Sequence, residues 1–129
     1  MEIRVERHFS YPADAIWAIV GDPARVDWVP GVTSCVFDGE VRAFSMGEAG
    51  ALKERILRRD AAQRTLTYSV IESAVPLVEH RASLRIEATG DGALLVWETS
   101  VKPDQVAPFI KRSMLDALDQ LEQVLAAGG

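Results

Sequence analysis

The last quarter of the sequence contains one long amphipathic run. From Val106 onward, apolar side chains recur at spacings of three and four residues, which predicts a helix with a single apolar face. Asp104 is the predicted N-cap and Gly128 the predicted end, giving about 22 residues and a length of about 33 Å. Such a helix must bury its apolar face against the rest of the chain. The face consists of Val106, Phe109, Ile110, Ser113, Met114, Ala117, Leu118, Leu121, Val124 and Leu125.

The remainder of the sequence has the pattern of an antiparallel sheet. Alternating apolar and polar residues, separated by turns rich in Asp, Gly and Pro, predict seven strands. The predicted strands are about 2–10, 32–38, 41–47, 51–59, 64–73, 77–88 and 93–102. The fold class is therefore predicted to be α+β, with a strongly bent antiparallel sheet packed on the long helix.

Two short helices are predicted between the first and second strands. The first begins at Pro12, a residue tolerated in a first helical turn, and buries Ile16 and Trp17. The second covers about 23–28 and is too short to be stable without packing onto the sheet.

Charge and length restrict the classes of partner. A chain of 129 residues fits one domain, 1–129, that can bury a sizeable core. The 14 basic and 19 acidic residues give a net charge of -5, which disfavours binding to nucleic acid or to an anionic membrane surface. We expect a monomer or a homodimer whose partner is a small molecule.

Cysteine and histidine content restricts the chemistry. Cys35 is the one cysteine, so no internal disulfide can form, and His8 and His80 are too far apart in sequence to suggest a zinc site. We expect neither a metal nor a cofactor. The N-terminus is charged and no run approaches the ~20 apolar residues of a membrane span, so a soluble, cytoplasmic protein is expected.

Four short segments carry a resemblance to a known family. In these segments, and in their order and spacing along the whole chain, the sequence resembles the START-like superfamily of the SRPBCC type, which includes bacterial polyketide cyclase-like proteins, plant abscisic-acid receptors and pollen allergens. The segments are Val5 to Ala13 leading into Ile16-Trp17, Asp22-Pro23 followed by Trp28-Val29-Pro30-Gly31, Glu54-Arg55-Ile56, and Val96-Trp97 before Pro103-Asp104.

The resemblance implies a helix-grip fold, in which a bent seven-stranded antiparallel sheet wraps around the long C-terminal helix. It also implies an elongated pocket between sheet and helix for a mostly apolar ligand. It does not imply a particular chemistry, because this fold serves receptors, carriers and enzymes alike.

Strand alternation assigns side chains to the inner face of the sheet, because charged positions mostly face water. The rule places Glu54 inside, where a carboxylate needs a partner, and Arg42 on the neighbouring strand is the best candidate. Inner positions are Arg42, Phe44, Met46, Leu52, Glu54, Ile56, Leu66, Tyr68, Val70, Val78, His80, Ala82, Leu84, Ile86, Leu95, Trp97, Thr99 and Val101, while Lys53, Arg55, Leu57 and Arg59 are assigned outward.

These assignments lead to a candidate ligand site. The hypothesis is that Arg42, Glu54, Tyr68 and His80 form the polar lining of an otherwise apolar pocket. In the alternative, the charged residues form a structural cross-strand pair and the two rings are ordinary core residues. The apolar part of the predicted pocket consists of Trp28, Phe44, Ile56, Leu84, Trp97, Phe109 and Met114.

Two functions fit such a pocket. The first is binding of a small hydrophobic or amphipathic ligand by a carrier or sensor, which requires only a cavity. The second is a polyketide cyclase or aromatase, in which His80 would be the base and Tyr68 or Arg42 would polarise a carbonyl group. The sequence shows no nucleophile with an adjacent base, no metal motif and no nucleotide-binding loop, which favours the binding function.

Overall fold

Seven antiparallel strands form one sheet in the computed structural model, which describes residues 1–32, 34–47 and 50–129. The order across the sheet is β1-β7-β6-β5-β4-β3-β2, so β1 lies beside β7 and the other strands follow as successive hairpins. The strands are β1 (Glu2–Phe9), β2 (Cys35–Phe37), β3 (Val41–Ser45), β4 (Ala51–Asp60), β5 (Thr65–Ser73), β6 (Glu79–Thr89) and β7 (Gly92–Lys102). Helix α1 (Ala13–Val20) follows β1 and helix α2 (Ala107–Ala126) comes after β7. The predicted α+β helix-grip fold is confirmed.

Helix α2 lies on the inner face of the sheet, as its apolar stripe predicts. Its buried side chains join the same core cluster as Phe9, Leu84 and Leu95 of the sheet. A second layer of sheet is unnecessary, because the helix covers the face that the strands leave apolar. The buried residues of α2 are Ala107, Met114, Ala117, Leu118, Leu121 and Leu125.

The start of α2 differs from the prediction. Asp104 does not cap the helix, because Asp104–Val106 forms a separate 3-10 turn and the Asp104 carboxylate accepts a hydrogen bond from the Met1 amino group at 3.1 Å. The α-helix begins at Ala107, and Pro108 occupies its first turn, where a missing N–H removes no helical hydrogen bond.

The predicted second short helix is wrong. Residues 23–28 form turns, in which Arg25 N–H donates to the Asp22 carbonyl at 3.0 Å and Val29 N–H to the Val26 carbonyl at 3.0 Å. The Asp22 carboxylate also accepts from Ala24 N–H at 3.0 Å, and this local bond competes with helix formation. The segment still buries Val26 and Trp28, so it covers the core as expected.

Two bulges bend the sheet between β4 and β5. The register shifts at Lys53/Glu54 and at Ile56/Arg58 leave Ile71 and Leu57 without cross-strand partners. Each extra residue increases the local twist and reverses the alternation beyond it. Arg59 therefore turns to the inner face, contrary to the prediction, and its Nε donates to the Gly21 carbonyl at 2.6 Å.

The strand ends were predicted less well than the strand centres. β6 begins at Glu79, and Val78, predicted to face inward, is 78% exposed because the irregular segment before β6, which contains Pro76, gives the inner position to Leu77. β2 covers only Cys35–Phe37 of the predicted strand 32–38. Parts of the predictions for 32–38, for 41–47 and for the following turn fall near residues 33, 48 and 49, which lie outside the described residues.

Candidate functional site

A cavity of about 140 Å³ lies between the inner face of the sheet and α2. Phe109 lines it and is 53% exposed, so the cavity reaches solvent beside the first turns of α2. Its lining is mostly aliphatic and aromatic. The predicted site residues that line it are Trp28, Arg42, Phe44, Glu54, Tyr68, His80, Trp97, Phe109 and Met114.

Ile56 and Leu84 do not line this cavity. Leu84 is fully buried in the core, opposite Leu66 and Trp97 of the neighbouring strands. Ile56 lies beside Arg59 in a separate shallow depression. Alternation assigns each residue to a face, but it does not give the position along the strand at which the cavity ends.

Several lining residues were missing from the predicted site. Val75 and Leu77 come from the loop between β5 and β6, and Val26 and Val29 from the turns after α1. Apolar residues beside Pro76 in a loop are a usable signal, because such side chains need a partner surface. Strand alternation could not have found them, since they are not in strands. The remaining lining residues are Met46, Leu52, Val70, Ser73, Thr99, Ile110, Ser113 and Ala117.

Arg42 and Glu54 form a buried ion pair at one side of the cavity. They are direct cross-strand partners on β3 and β4, and Arg42 Nε donates to Glu54 Oε1 at 2.7 Å. Their side chains are only 4% and 9% exposed. Burial raises the pKa of the Glu54 carboxyl group, and the nearby Arg42 guanidinium opposes this increase.

The second terminal nitrogen of the same guanidinium is unpaired. Arg42 Nη1 is buried and has no hydrogen-bond partner within the described parts of the chain. The guanidinium carbon lies 4.9 Å from the centre of the Tyr68 ring, a cation–π contact that fixes the guanidinium group without using this N–H donor.

Tyr68 supplies a neutral hydroxyl group. Its oxygen accepts a hydrogen bond from Trp97 Nε1 at 3.2 Å, and burial raises the pKa of the phenol well above its ordinary value. The hydroxyl hydrogen has no acceptor among residues 1–32, 34–47 and 50–129, so it remains able to donate to a ligand.

His80 joins β6 to β5 beyond the last paired residues. The ladder between these strands ends at Tyr68 and Ala82. Past that point the Val70 N–H donates to His80 Nδ1 at 3.1 Å, and the Ser69 hydroxyl donates to the His80 carbonyl. Because Nδ1 is an acceptor, the neutral ring carries its proton on Nε2, and burial lowers the pKa of His80 to about 4.

These four side chains form a continuous row across the sheet. Arg42, Glu54, Tyr68 and His80 come from the successive strands β3, β4, β5 and β6, and we call them the polar row. The Tyr68 and His80 ring centres are 5.9 Å apart. The row offers three donors, Arg42 Nη1, the Tyr68 hydroxyl and His80 Nε2, whereas Glu54 is its acceptor.

The described residues contain no cluster of three or more His, Cys, Asp or Glu side chains that could hold a metal ion. Among the same residues, neither α1 nor α2 combines the length and apolar character needed to cross a bilayer.

Comparison with solved structures shows the same fold in proteins of low sequence identity. An uncharacterized protein from Bacillus thuringiensis is 16% identical with a TM-score of 0.88, covering 96% of this chain and 98% of that one. A protein from Thermobifida fusca is 25% identical with a TM-score of 0.79, covering 94% and 90%. Norcoclaurine synthase from Thalictrum flavum, solved with dopamine and hydroxybenzaldehyde, is 21% identical with a TM-score of 0.73, covering 100% and 88%.

Comparison of the sequence with known proteins separates two levels of similarity. Among curated proteins, none matches this chain. A family model does match, over residues 1–126, and its description is polyketide cyclase / dehydrase and lipid transport. The match covers almost the whole chain and agrees with the fold and with the cavity under α2, so this protein belongs to the polyketide cyclase / dehydrase and lipid transport family.

Proposed function

We propose that this protein is a carrier or sensor that binds a small hydrophobic or amphipathic molecule in the cavity between α2 and the sheet. The observation that carries the proposal is the cavity itself, an apolar space with a few converging polar groups. A protein interior is normally filled to the density of an organic crystal, so an open space of this kind in the core needs an explanation.

The cavity volume supports a ligand about the size of one aromatic ring. A space of about 140 Å³ is close to the roughly 150 Å³ of engineered apolar cavities that bind benzene. A longer amphipathic molecule, such as a lipid, would extend past Phe109 into solvent.

Toluene provides a direct test of this proposal. We expect saturable binding of toluene by calorimetry, with loss of binding in Ser113→Trp, whose indole would fill the cavity from α2. Ser113→Ala is the matched control and should bind toluene as the unmodified protein does. Equal binding by all three proteins, or none by the unmodified protein, would contradict the proposal. Thermal unfolding of both variants verifies that each is folded.

An enzyme of the polyketide cyclase type is the second candidate, and Glu54 is the observation that favours it. A carboxyl group with a raised pKa, next to a guanidinium in a cavity, is suited to proton transfer. His80 is poorly suited to the base role that the sequence suggested, because Nδ1 already accepts from Val70 and Nε2 carries the proton.

Hydrogen exchange distinguishes the two candidates. If Glu54 removes protons next to a carbonyl, the protein will exchange the methyl hydrogens of acetophenone for deuterium in D₂O faster than buffer does. Glu54→Gln should then lose this exchange. A carrier or sensor gives only the buffer rate with either protein, and proton NMR measures the difference.

A further inference from the structure

We propose that the ligand of this cavity is an uncharged carbonyl compound whose carbonyl oxygen accepts a hydrogen bond from Arg42 Nη1. The inference rests on the proposed function, because it requires that the cavity hold a ligand at all. It adds the chemical class of that ligand and the atom that recognises it.

The unpaired Arg42 donor is the first step of the argument. A buried donor without an acceptor carries an unfavourable free energy, which is larger when the donor is charged. Arg42 Nη1 is in this position, while Nε of the same side chain is satisfied by Glu54. Since Arg42 lines the cavity, a ligand oxygen is the partner that the structure leaves room for.

Charge balance is the second step. Arg42 and Glu54 are the only charged side chains among the described lining residues, and they form a pair with no net charge. A carboxylate ligand would place a second anion beside Glu54 with no second cation to compensate it. An ammonium ligand would place a second cation beside Arg42. An uncharged molecule avoids both costs.

The hydrogen-bonding capacity of the row is the third step. Tyr68 and His80 are neutral and each presents a donor, so a ligand with acceptor oxygens is favoured over one that only donates. The hydroxyl groups of Ser73, Thr99 and Ser113 also line the cavity and can act as donor or acceptor. The guanidinium is the group that most needs an acceptor, because it is the charged one.

Three probes of nearly equal shape test the proposal. Acetophenone has one ring and one carbonyl, α-methylstyrene replaces the carbonyl oxygen with a methylene group, and benzoate is the corresponding anion. The protein variant is the double substitution Arg42→Met with Glu54→Leu, which removes both charges together and leaves neither partner buried alone. Dissociation constants of all three probes are measured for both proteins by calorimetry.

The decisive quantity is the ratio of the α-methylstyrene and acetophenone dissociation constants. We expect this ratio to be at least about tenfold larger in the unmodified protein than in the double variant, as loss of one charge-assisted hydrogen bond implies. We also expect benzoate to bind the unmodified protein more weakly than acetophenone. If the double variant does not fold, Arg42→Lys is compared with the unmodified protein, because it keeps the charge but loses the forked geometry.

Each contrary result has a separate meaning. If α-methylstyrene binds but the ratio does not depend on Arg42, the carbonyl proposal is wrong while the proposed function stands. Tighter binding of benzoate than of acetophenone would also overturn it. If no probe binds, both the proposed function and this inference fail.

Discussion

His80 Nδ1 accepts a hydrogen bond from the Val70 backbone N–H at 3.1 Å, just beyond the last paired residues of β5 and β6. The ring thus replaces part of the missing ladder and also lines the cavity. An acceptor nitrogen must be unprotonated, so this contact makes the local structure dependent on pH.

We predict that acid weakens the fold through His80. Its pKa is about 4 in the folded protein, whereas an unfolded histidine titrates near about 6.5, so the unfolded chain binds more protons between these values. The free energy of unfolding should therefore fall by up to a few kcal/mol as the pH decreases from about 6.5 to about 4. Urea denaturation at several pH values measures this decrease.

His80→Asn is the control for that prediction. The Asn side-chain oxygen can accept from Val70 N–H but does not titrate, so this part of the pH dependence should disappear. The same slope in both proteins would show that other groups cause it. His80→Leu should be less stable than His80→Asn at pH 7, since it leaves the Val70 N–H without an acceptor.

We predict that Glu54→Gln destabilises the protein by about 3 kcal/mol, because it leaves the buried Arg42 charge without a counterion. The double substitution Arg42→Met with Glu54→Leu should cost much less, since it removes both charges. Chemical denaturation measures both. A loss below about 0.5 kcal/mol for Glu54→Gln, typical of surface positions, would mean that Glu54 is not an ionised partner of Arg42.

Tyr68→Phe removes the acceptor of the Trp97 indole N–H. We expect a loss of about 1 kcal/mol in unfolding free energy and an upfield shift of the Trp97 indole proton signal. The indole signal of Trp17, which lies on α1 outside the cavity lining, should not move. An unchanged Trp97 signal would contradict the hydrogen bond.

Gly92→Ala should be strongly destabilising, by more than about 2 kcal/mol. A Cβ atom at Gly92 would lie 2.0 Å from the Phe9 carbonyl oxygen, and backbone of a paired strand cannot move aside easily. Gly90→Ala is the matched control, because a Cβ there meets nothing within 4 Å. Similar thermal midpoints for the two variants would show that β1 and β7 are not so close at this point.

The sequence predicted the sheet, the long helix and the Arg42–Glu54 pair because each depends on a local rule. Periodicity identifies strands and helices, and a buried carboxylate needs a cation nearby. The predictions failed where geometry depends on the whole sheet. Two bulges turned Arg59 inward, and the position of the cavity along the strands excluded Ile56 and Leu84.

Other features were not accessible to pattern analysis. The contribution of Val75 and Leu77 to the cavity depends on how a loop folds back over the sheet. The tautomer of His80 depends on a backbone N–H ten residues away in sequence. Predictions of a monomer or homodimer and of a cytoplasmic location concern properties outside one chain's fold, and they stay predictions.

The most direct test of a ligand-binding cavity is a ¹H–¹⁵N NMR titration with toluene that follows the three tryptophan indole signals. Trp28 and Trp97 line the cavity with their ring centres 5.6 Å apart, whereas Trp17 does not line it. We predict saturable shifts of the Trp28 and Trp97 signals with a common dissociation constant and a stationary Trp17 signal. No shift at saturating toluene, or equal non-saturating shifts of all three, would contradict the account.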